Sequence, residues 1–280
     1  MASEAIASAR PADTRLQSRS AALLSVLSLA AISVVGIAAF LYPFLLSDVQ
    51  QAAAETGRAQ DAPLIFGLVL SLALLLFVTE LSRPGMSAKT VSMLAVLIVA
   101  AAALRIPTLP AGANAFFFLV IVAGYVFGAR AGFLVGAGAL FVSAFAVGGF
   151  GPWLPFQMFA SGWIGLTAGW LGAALEHSLR GHRRVELIVL AAFAALWGFL
   201  FGAIMNLWFW PFVAGGESIS WRPGMGFGET LAHYWSFYLL TSAGWDAWRA
   251  AANAVLVLVA GRPVLAALAR YRDRFQISFD

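Results

Sequence analysis

Residues 125–172 decide the fold of this chain and read YVFGARAGFLVGAGALFVSAFAVGGFGPWLPFQMFASGWIGLTAGWLG. They form two apolar stretches joined by a turn that contains glycine, proline and tryptophan. Small residues recur every four positions in both stretches, at Gly128, Gly132, Gly136, Ser161, Gly165 and Gly169. Residues four apart share one face of a helix, and small side chains there let two backbones approach closely in lipid. The stretch therefore predicts membrane helices that pack tightly through these faces.

The turn itself combines three glycines and Pro152, which end a helix, with Trp153 and Gln157 directly after them. Aromatic and amide side chains at the mouth of a tight helix bundle favour a ligand-binding site. The same residues also fit simple helix packing with a tryptophan at the membrane interface. The sequence leaves these two interpretations open.

The composition indicates an integral membrane protein, because 61% of the 280 residues are hydrophobic and only 11% are charged. The chain has no cysteine, which excludes disulfides, thiolate nucleophiles and zinc–cysteine sites. Three scattered histidines do not make a metal cluster. We therefore expect neither a metal site nor a cofactor.

The apolar stretches predict an all-α protein with about eight transmembrane helices, each near the length of roughly 20 residues that a bilayer requires. A polar tail, residues 1–19, precedes the first of them. The predicted spans are 21–46, 63–82, 90–105, 113–128, 131–148, 154–175, 186–212 and 243–262. Residues 229–242 fit either an outer interfacial helix or the start of a long last helix.

The basic residues predict the orientation of these spans. With the N-terminus in the cytoplasm, all but four of the 17 Lys and Arg fall on the inner side, as the positive-inside rule requires. The four exceptions are Arg58, Arg105, Arg222 and Arg249. Both termini are therefore predicted to be cytoplasmic. The topology explains the basic composition, so no nucleic-acid partner is expected.

The outer face is predicted to hold the turn at 149–153 and the loops 106–112 and 213–228. Most of the ten tryptophans lie at or near this face, whereas a general aromatic belt would occupy both interfaces. The asymmetry favours an outward-facing aromatic site. A single well-populated outer belt is the alternative.

Polar residues in the last span suggest which side chains bind a ligand. Asp246, Arg249 and Asn253 share one helical face, because their offsets are three and seven residues. They fit a substrate-facing polar stripe, or else an Asp246–Arg249 ion pair with Asn253 bonded to a neighbouring helix. The other candidates, each of which also fits an ordinary interhelical hydrogen bond or a snorkelling side chain, are Arg105, Asn114, Gln157 and Asn206.

Three kinds of function have little support in the sequence, namely an ion relay, an ATPase motor and an intramembrane protease. No Asp, Glu, Lys or His lies at the predicted middle of a span, so a proton or sodium relay is poorly supported. The only lysine, Lys89, is outside any phosphate-binding loop, so active transport would need a partner ATPase. Ser161 and His233 faintly suggest an intramembrane protease of the rhomboid type, but Phe159 replaces the glycine that its motif needs.

The chain resembles the substrate-binding S components of energy-coupling factor (ECF) vitamin transporters, in particular the cobalamin-type subgroup. The resemblance extends over about residues 88–274. The segments that carry it are Leu104–Pro107, Gly124–Gly136, Gly151–Met158 and Gly244–Asn253.

The resemblance implies a six-helix substrate-binding core at 88–268, preceded by an added transmembrane hairpin at 20–87 and followed by a cytoplasmic tail at 269–280. It implies a vitamin-like substrate, with cobalamin or a corrinoid as the candidate, bound in an outward pocket. It also implies partners in the plasma membrane and cytoplasm, namely a scaffold subunit and two ATPase subunits. The scaffold would dock on a face of small residues formed by Ala88, Ser92, Ala95 and Ala102.

The leading hypothesis is therefore a multi-pass plasma-membrane binding subunit and not an enzyme. Its predicted substrate-binding residues are Arg105, Asn114, Trp153, Gln157, Asn206, Asp246, Arg249 and Asn253. A membrane scaffold or assembly protein without a ligand is the first alternative. An intramembrane hydrolase is the second.

Overall fold

The computed structural model describes residues 10–45, 87–108, 113–175, 178, 182–213 and 215–275, with scattered positions between 67 and 78. These residues form helices and turns without a strand. The helices are α1 (Arg10–Leu45), α2 (Ala88–Leu104), α3 (Phe116–Phe127), α4 (Ala129–Val147), α5 (Leu154–Leu175), α6 (Arg183–Phe209), α7 (Phe227–Thr241) and α8 (Ala243–Phe275). A short 3₁₀ turn, Trp210–Phe212, follows α6.

The helices confirm the predicted all-α membrane fold. In the described part of the chain, α1, α4, α5, α6 and α8 are long and apolar enough to cross a bilayer, while α2 and α3 are apolar but shorter. The second predicted span, 63–82, lies largely outside the described residues. Two of its described positions, Leu70 and Leu74, are helical and pack against the core.

The last part of the chain resolves an alternative that the sequence left open. Residues 227–241 form a separate helix, α7, because the chain bends at Ser242 before α8 begins. The α8 helix continues past the predicted end of its span, through Pro263 to Phe275. The predicted span at 186–212 ends in the 3₁₀ turn at Trp210–Phe212, where Pro211 lacks the N–H that a continuing helix would use.

The α3 helix forms the centre of the bundle. All of its residues except Tyr125 are buried, as expected for a helix that is hydrophobic on every side. Helices α2, α4, α5, α6 and α8 pack around it. The pairs α2–α4, α4–α5, α5–α6 and α6–α8 are neighbours in this ring, whereas α8 and α2 are not.

Glycines set the spacing of α3, α4 and α5. A methyl group at Gly124 or Gly132 would collide with the backbone of Gly165, and one at Gly136 would collide with the backbone of Ser161. These contacts are between backbones, so no side-chain rotation would relieve them. Close approach of α3 and α4 to α5 therefore requires glycine at these positions.

Gly128 has a different place from the one its four-residue spacing suggests. It has φ = 92° and separates α3 from α4, and a methyl group added there would meet no atom within 4 Å. A positive φ of this size favours glycine over any residue with a side chain. Gly128 thus lets the chain turn between two helices, and its backbone lies against Gly169 of α5.

The first helix packs on α5 and α6, outside the ring around α3. The Trp163 indole N–H donates to the Ser33 hydroxyl at 3.1 Å. A methyl at Gly36 would come within 2.8 Å of the rings of Phe159 and Trp163. Beside this contact, α1, α5 and α6 enclose an apolar groove of about 410 Å³.

Candidate functional site

The buried face of α8 carries two of the buried polar side chains of the described bundle, Asp246 and Asn253. Asp246, Ala250, Asn253 and Val257 follow one another on this face at helical spacing, and each is at most 3% exposed. The Asp246 carboxylate accepts a hydrogen bond from Arg249 Nη1 at 2.6 Å. A charge-assisted bond of this length lowers the cost of holding both charges between helices.

Helix α6 contacts both side chains of this ion pair and so positions them. Arg249 Nη1 also donates to the Gly198 carbonyl at 3.2 Å. Next along α6, a methyl group at Gly202 would collide with the Asp246 carboxylate. The site therefore depends on two glycines spaced four apart, because a methyl group at Gly198 would collide with the Ala250 backbone of α8 and Gly202 leaves room for the acid.

Two aromatic rings flank the guanidinium. The Arg249 Cζ atom lies 5.9 Å from the ring centroid of Phe117 on α3 and 5.3 Å from that of Phe201 on α6. The two rings contact each other edge to face, with their centroids 4.8 Å apart. Both rings are within the range for cation–π attraction. The pair is thus held by three helices, α3, α6 and α8.

Several buried polar atoms in this region have no hydrogen-bond partner among the described residues. They include Asp246 Oδ2 and both amide atoms of Asn253, which is 1% exposed. The Tyr238 hydroxyl of α7 lies near the Asp246 carboxylate and also has no hydrogen-bond partner among the described residues. Buried polar groups without partners are rare in folded proteins, so this cluster is a candidate ligand site.

Three of the other sequence-predicted residues have a hydrogen-bond partner within the fold. Arg105 Nη1 donates to the Ser143 hydroxyl at 2.8 Å. Asn206 Nδ2 donates to the Ser242 hydroxyl at 2.8 Å. The Asn114 side-chain oxygen accepts from the Phe116 N–H at 3.1 Å, at the residue where α3 begins.

The turn before α5 holds the remaining two predicted residues. The Trp153 indole donates to the Gly149 carbonyl at 3.2 Å, and its ring lies against Gly151, with 39% of the residue exposed. Gln157 is half-buried, and its Oε1 has no partner among the described residues. The structure records no contact between these two side chains and the ion pair, so the predicted set does not form one cluster.

Sequence reasoning missed the α6 and α7 contributions to the cluster. Gly198 and Gly202 have the same four-residue spacing that identified the groove in α4 and α5, so this signal was present in the sequence. Tyr238 gave no signal, because nothing in a sequence shows that α7 brings its hydroxyl to Asp246.

The geometry gives no support to hydrolysis or metal binding in the described part of the chain. The Ser161 hydroxyl is fully buried and has no hydrogen-bond partner, so no base activates it. His233 Nδ1 lies 2.9 Å from the Ser220 carbonyl. No group of three acidic or histidine side chains converges among these residues.

Comparison with known proteins identifies one family. The family described as "ECF transporter, substrate-specific component" matches residues 89–261, which is more than half of the chain. The matched region runs from α2 into α8 and includes the Asp246–Arg249 pair. No curated protein and no solved structure gives a significant match.

Proposed function

Because this chain belongs to the family of ECF transporter substrate-specific components, we propose that it captures a vitamin-like micronutrient at the cell surface, with cobalamin or another corrinoid as the first candidate. Members of this family are membrane transport subunits and not enzymes. They associate with a membrane scaffold and with ATPase subunits, and they take a small-molecule substrate. The proposal concerns which molecule this chain carries and which residues hold it.

The observation that carries the proposal is the partly open Asp246–Arg249 ion pair of α8, which faces α6. The Arg249 side chain keeps 26% exposure although its partner Asp246 keeps only 3%. Intramembrane charges usually face a partner or a cavity and mark substrate pathways. We assign substrate binding to the set predicted from the sequence, with Asp246, Arg249 and Asn253 at its centre and Arg105, Asn114, Trp153, Gln157 and Asn206 nearer the loops.

The domain organisation and orientation belong to the same proposal. Residues 88–268 form the substrate-binding core, and residues 20–87 form an added hairpin. Both termini lie in the cytoplasm of a plasma-membrane protein, as the distribution of Lys and Arg favours.

The scaffold would approach α2, which contacts only α3 and α4 closely among the described helices. Of the four small residues expected on its docking face, Ala88, Ser92 and Ala95 are exposed. Ala102 is 5% exposed and packs in the core, so it does not belong to that face. Two cytoplasmic ATPase subunits would drive the cycle, since no phosphate-binding loop occurs in this sequence.

A scaffold protein without a ligand is the second candidate. The glycine contacts among α3, α4 and α5 favour it, because helix adhesion alone would account for them. The intramembrane hydrolase has no such observation in its favour.

The test is to purify the protein from cells grown in rich medium and to identify any bound small molecule by mass spectrometry. A stoichiometric vitamin or corrinoid is the expected result. Its retention should fall in Asp246→Ala and Trp153→Ala, and it should stay at the wild-type level in the control Trp170→Ala, a residue 61% exposed at the other end of α5. An empty preparation that a vitamin panel does not stabilise against heat would favour the scaffold.

A further inference from the structure

Only one nitrogen of the Arg249 guanidinium, Nη1, donates hydrogen bonds to the described part of the protein. Nη1 has two hydrogens, and these account for the bonds to Asp246 Oδ1 and the Gly198 carbonyl. Nε and Nη2 carry the other three N–H groups, and they donate to no described residue. Since the side chain is 26% exposed, this second edge of the guanidinium is open to a ligand.

The charge at this position is already balanced. Asp246 contributes one negative charge, Arg249 one positive charge, and the two are in direct contact at 2.6 Å. The Tyr238 hydroxyl, near the Asp246 carboxylate, and the Asn253 amide, one helical turn beyond Arg249 on α8, are both uncharged. A charged ligand group would therefore enter a buried site that offers it no counter-charge, and a buried charge without a partner is costly.

Given the proposed function, on which this inference rests, we propose that the substrate group bound here is an uncharged carbonyl-type acceptor, such as an amide or lactam. Its oxygen accepts from the free Nε and Nη2 edge of Arg249. A carboxylate or phosphate would put a second anion on a guanidinium that Asp246 already neutralises. An ammonium group would lie directly against the guanidinium, and the two positive charges would repel each other.

Asp246 is then a positioning residue, which sets the charge of the site and fixes the orientation of Arg249. Gly202 supports it, because the carboxylate lies where any side chain at residue 202 would be. This division of roles predicts a change of specificity. Asp246→Asn keeps the size of the side chain and one oxygen acceptor, but it leaves Arg249 without a counter-charge. The variant should then favour anionic ligands.

The experiment compares matched amide and acid ligands by titration on full-length protein in detergent. The pairs are cyanocobalamin and its monocarboxylic acid, biotinamide and biotin, and nicotinamide and nicotinate. For each pair that binds, the wild type should prefer the uncharged member by at least about tenfold. Asp246→Asn should move this preference toward the acid by about tenfold or more. Gly244→Ala, where a methyl group meets no atom within 4 Å, should leave it unchanged.

Each outcome bears on the proposal. A wild type that prefers the acid member, or an Asp246→Asn variant that weakens both members equally, overturns the inference and leaves the proposed function intact. If Asp246→Asn does not fold, the preference of the wild type for the uncharged or the acid member of each pair still tests the inference. Failure of all six compounds to bind the wild type overturns the inference and counts against the proposed vitamin-binding function.

Discussion

Replacing Gly165 by alanine should loosen the centre of the bundle. The new methyl group would meet the carbonyl and Cα of Gly132 on α4, well inside the 3.0 Å below which real Cβ contacts essentially do not occur. All the nearest atoms belong to the backbone of another helix, so no side chain can rotate away. Helices α4 and α5 must separate, and this pair shares the most extensive contact in the fold.

The expected loss follows from two opposing effects. Forcing an extra group into a packed interior costs about 1–3 kcal/mol, and a rigid backbone neighbour places this case at the upper end. Alanine in place of glycine inside a helix returns up to about 1 kcal/mol. The net loss is therefore about 2 kcal/mol, which corresponds to a decrease of roughly 4–8 °C in Tm for a chain of this size.

Thermal unfolding of the purified protein in detergent, followed by helical circular dichroism, measures this loss. Gly244→Ala is the matched control on α8, because nothing lies within 4 Å of its methyl position. It should keep or slightly raise the Tm through helix propensity alone. Equal Tm values for Gly165→Ala and Gly244→Ala would refute the close backbone contact of α4 with α5.

Two further substitutions test single side chains. Asn253→Leu should raise the free energy of unfolding by about 1–3 kcal/mol in the absence of ligand, because it removes a buried amide without a partner among the described residues, and it should also reduce ligand binding. Lower stability in a denaturant titration would show that Asn253 has a structural partner. Trp163→Phe should remove the hydrogen bond to Ser33 and destabilise the docking of α1 by about 0.5–1.5 kcal/mol, measured as faster proteolysis of the N-terminal helix. Trp245→Phe, at an exposed residue of α8, should have no such effect.

The sequence was sufficient for the main helices because their signals are local. Apolar length and the bounding glycines and prolines predicted α4 and α5 to within about two residues. The four-residue spacing also pointed to Gly132 and Gly165, which meet in the structure. Gly128 fits the same spacing but has a positive φ at the joint between two helices. A pattern of spacing does not distinguish a helix break from a packing face.

The candidate site was less predictable because its contacts are not local. The sequence shows that Asp246 and Arg249 are three residues apart, and so it predicts that they can pair on one helix. It does not show that Gly202 of α6 makes room for the acid, or that Phe117 of α3 lies beside the guanidinium. Such contacts depend on the order of helices around α3, which no local pattern encodes.

The chemistry of the α6–α8 seam argues against adhesion as its only purpose. Two helices that needed only to adhere would pack more stably through apolar residues, since replacing a buried ion pair by well-packed hydrophobic residues is often neutral or stabilising. Here the seam keeps Asp246 beside Gly202, a glycine within a helix that lowers helix propensity by about 1 kcal/mol relative to alanine. It also keeps Asn253 without a partner among the described residues. These features each reduce stability, and together they leave donors and acceptors ready for a polar molecule, as a subunit that selects a substrate requires.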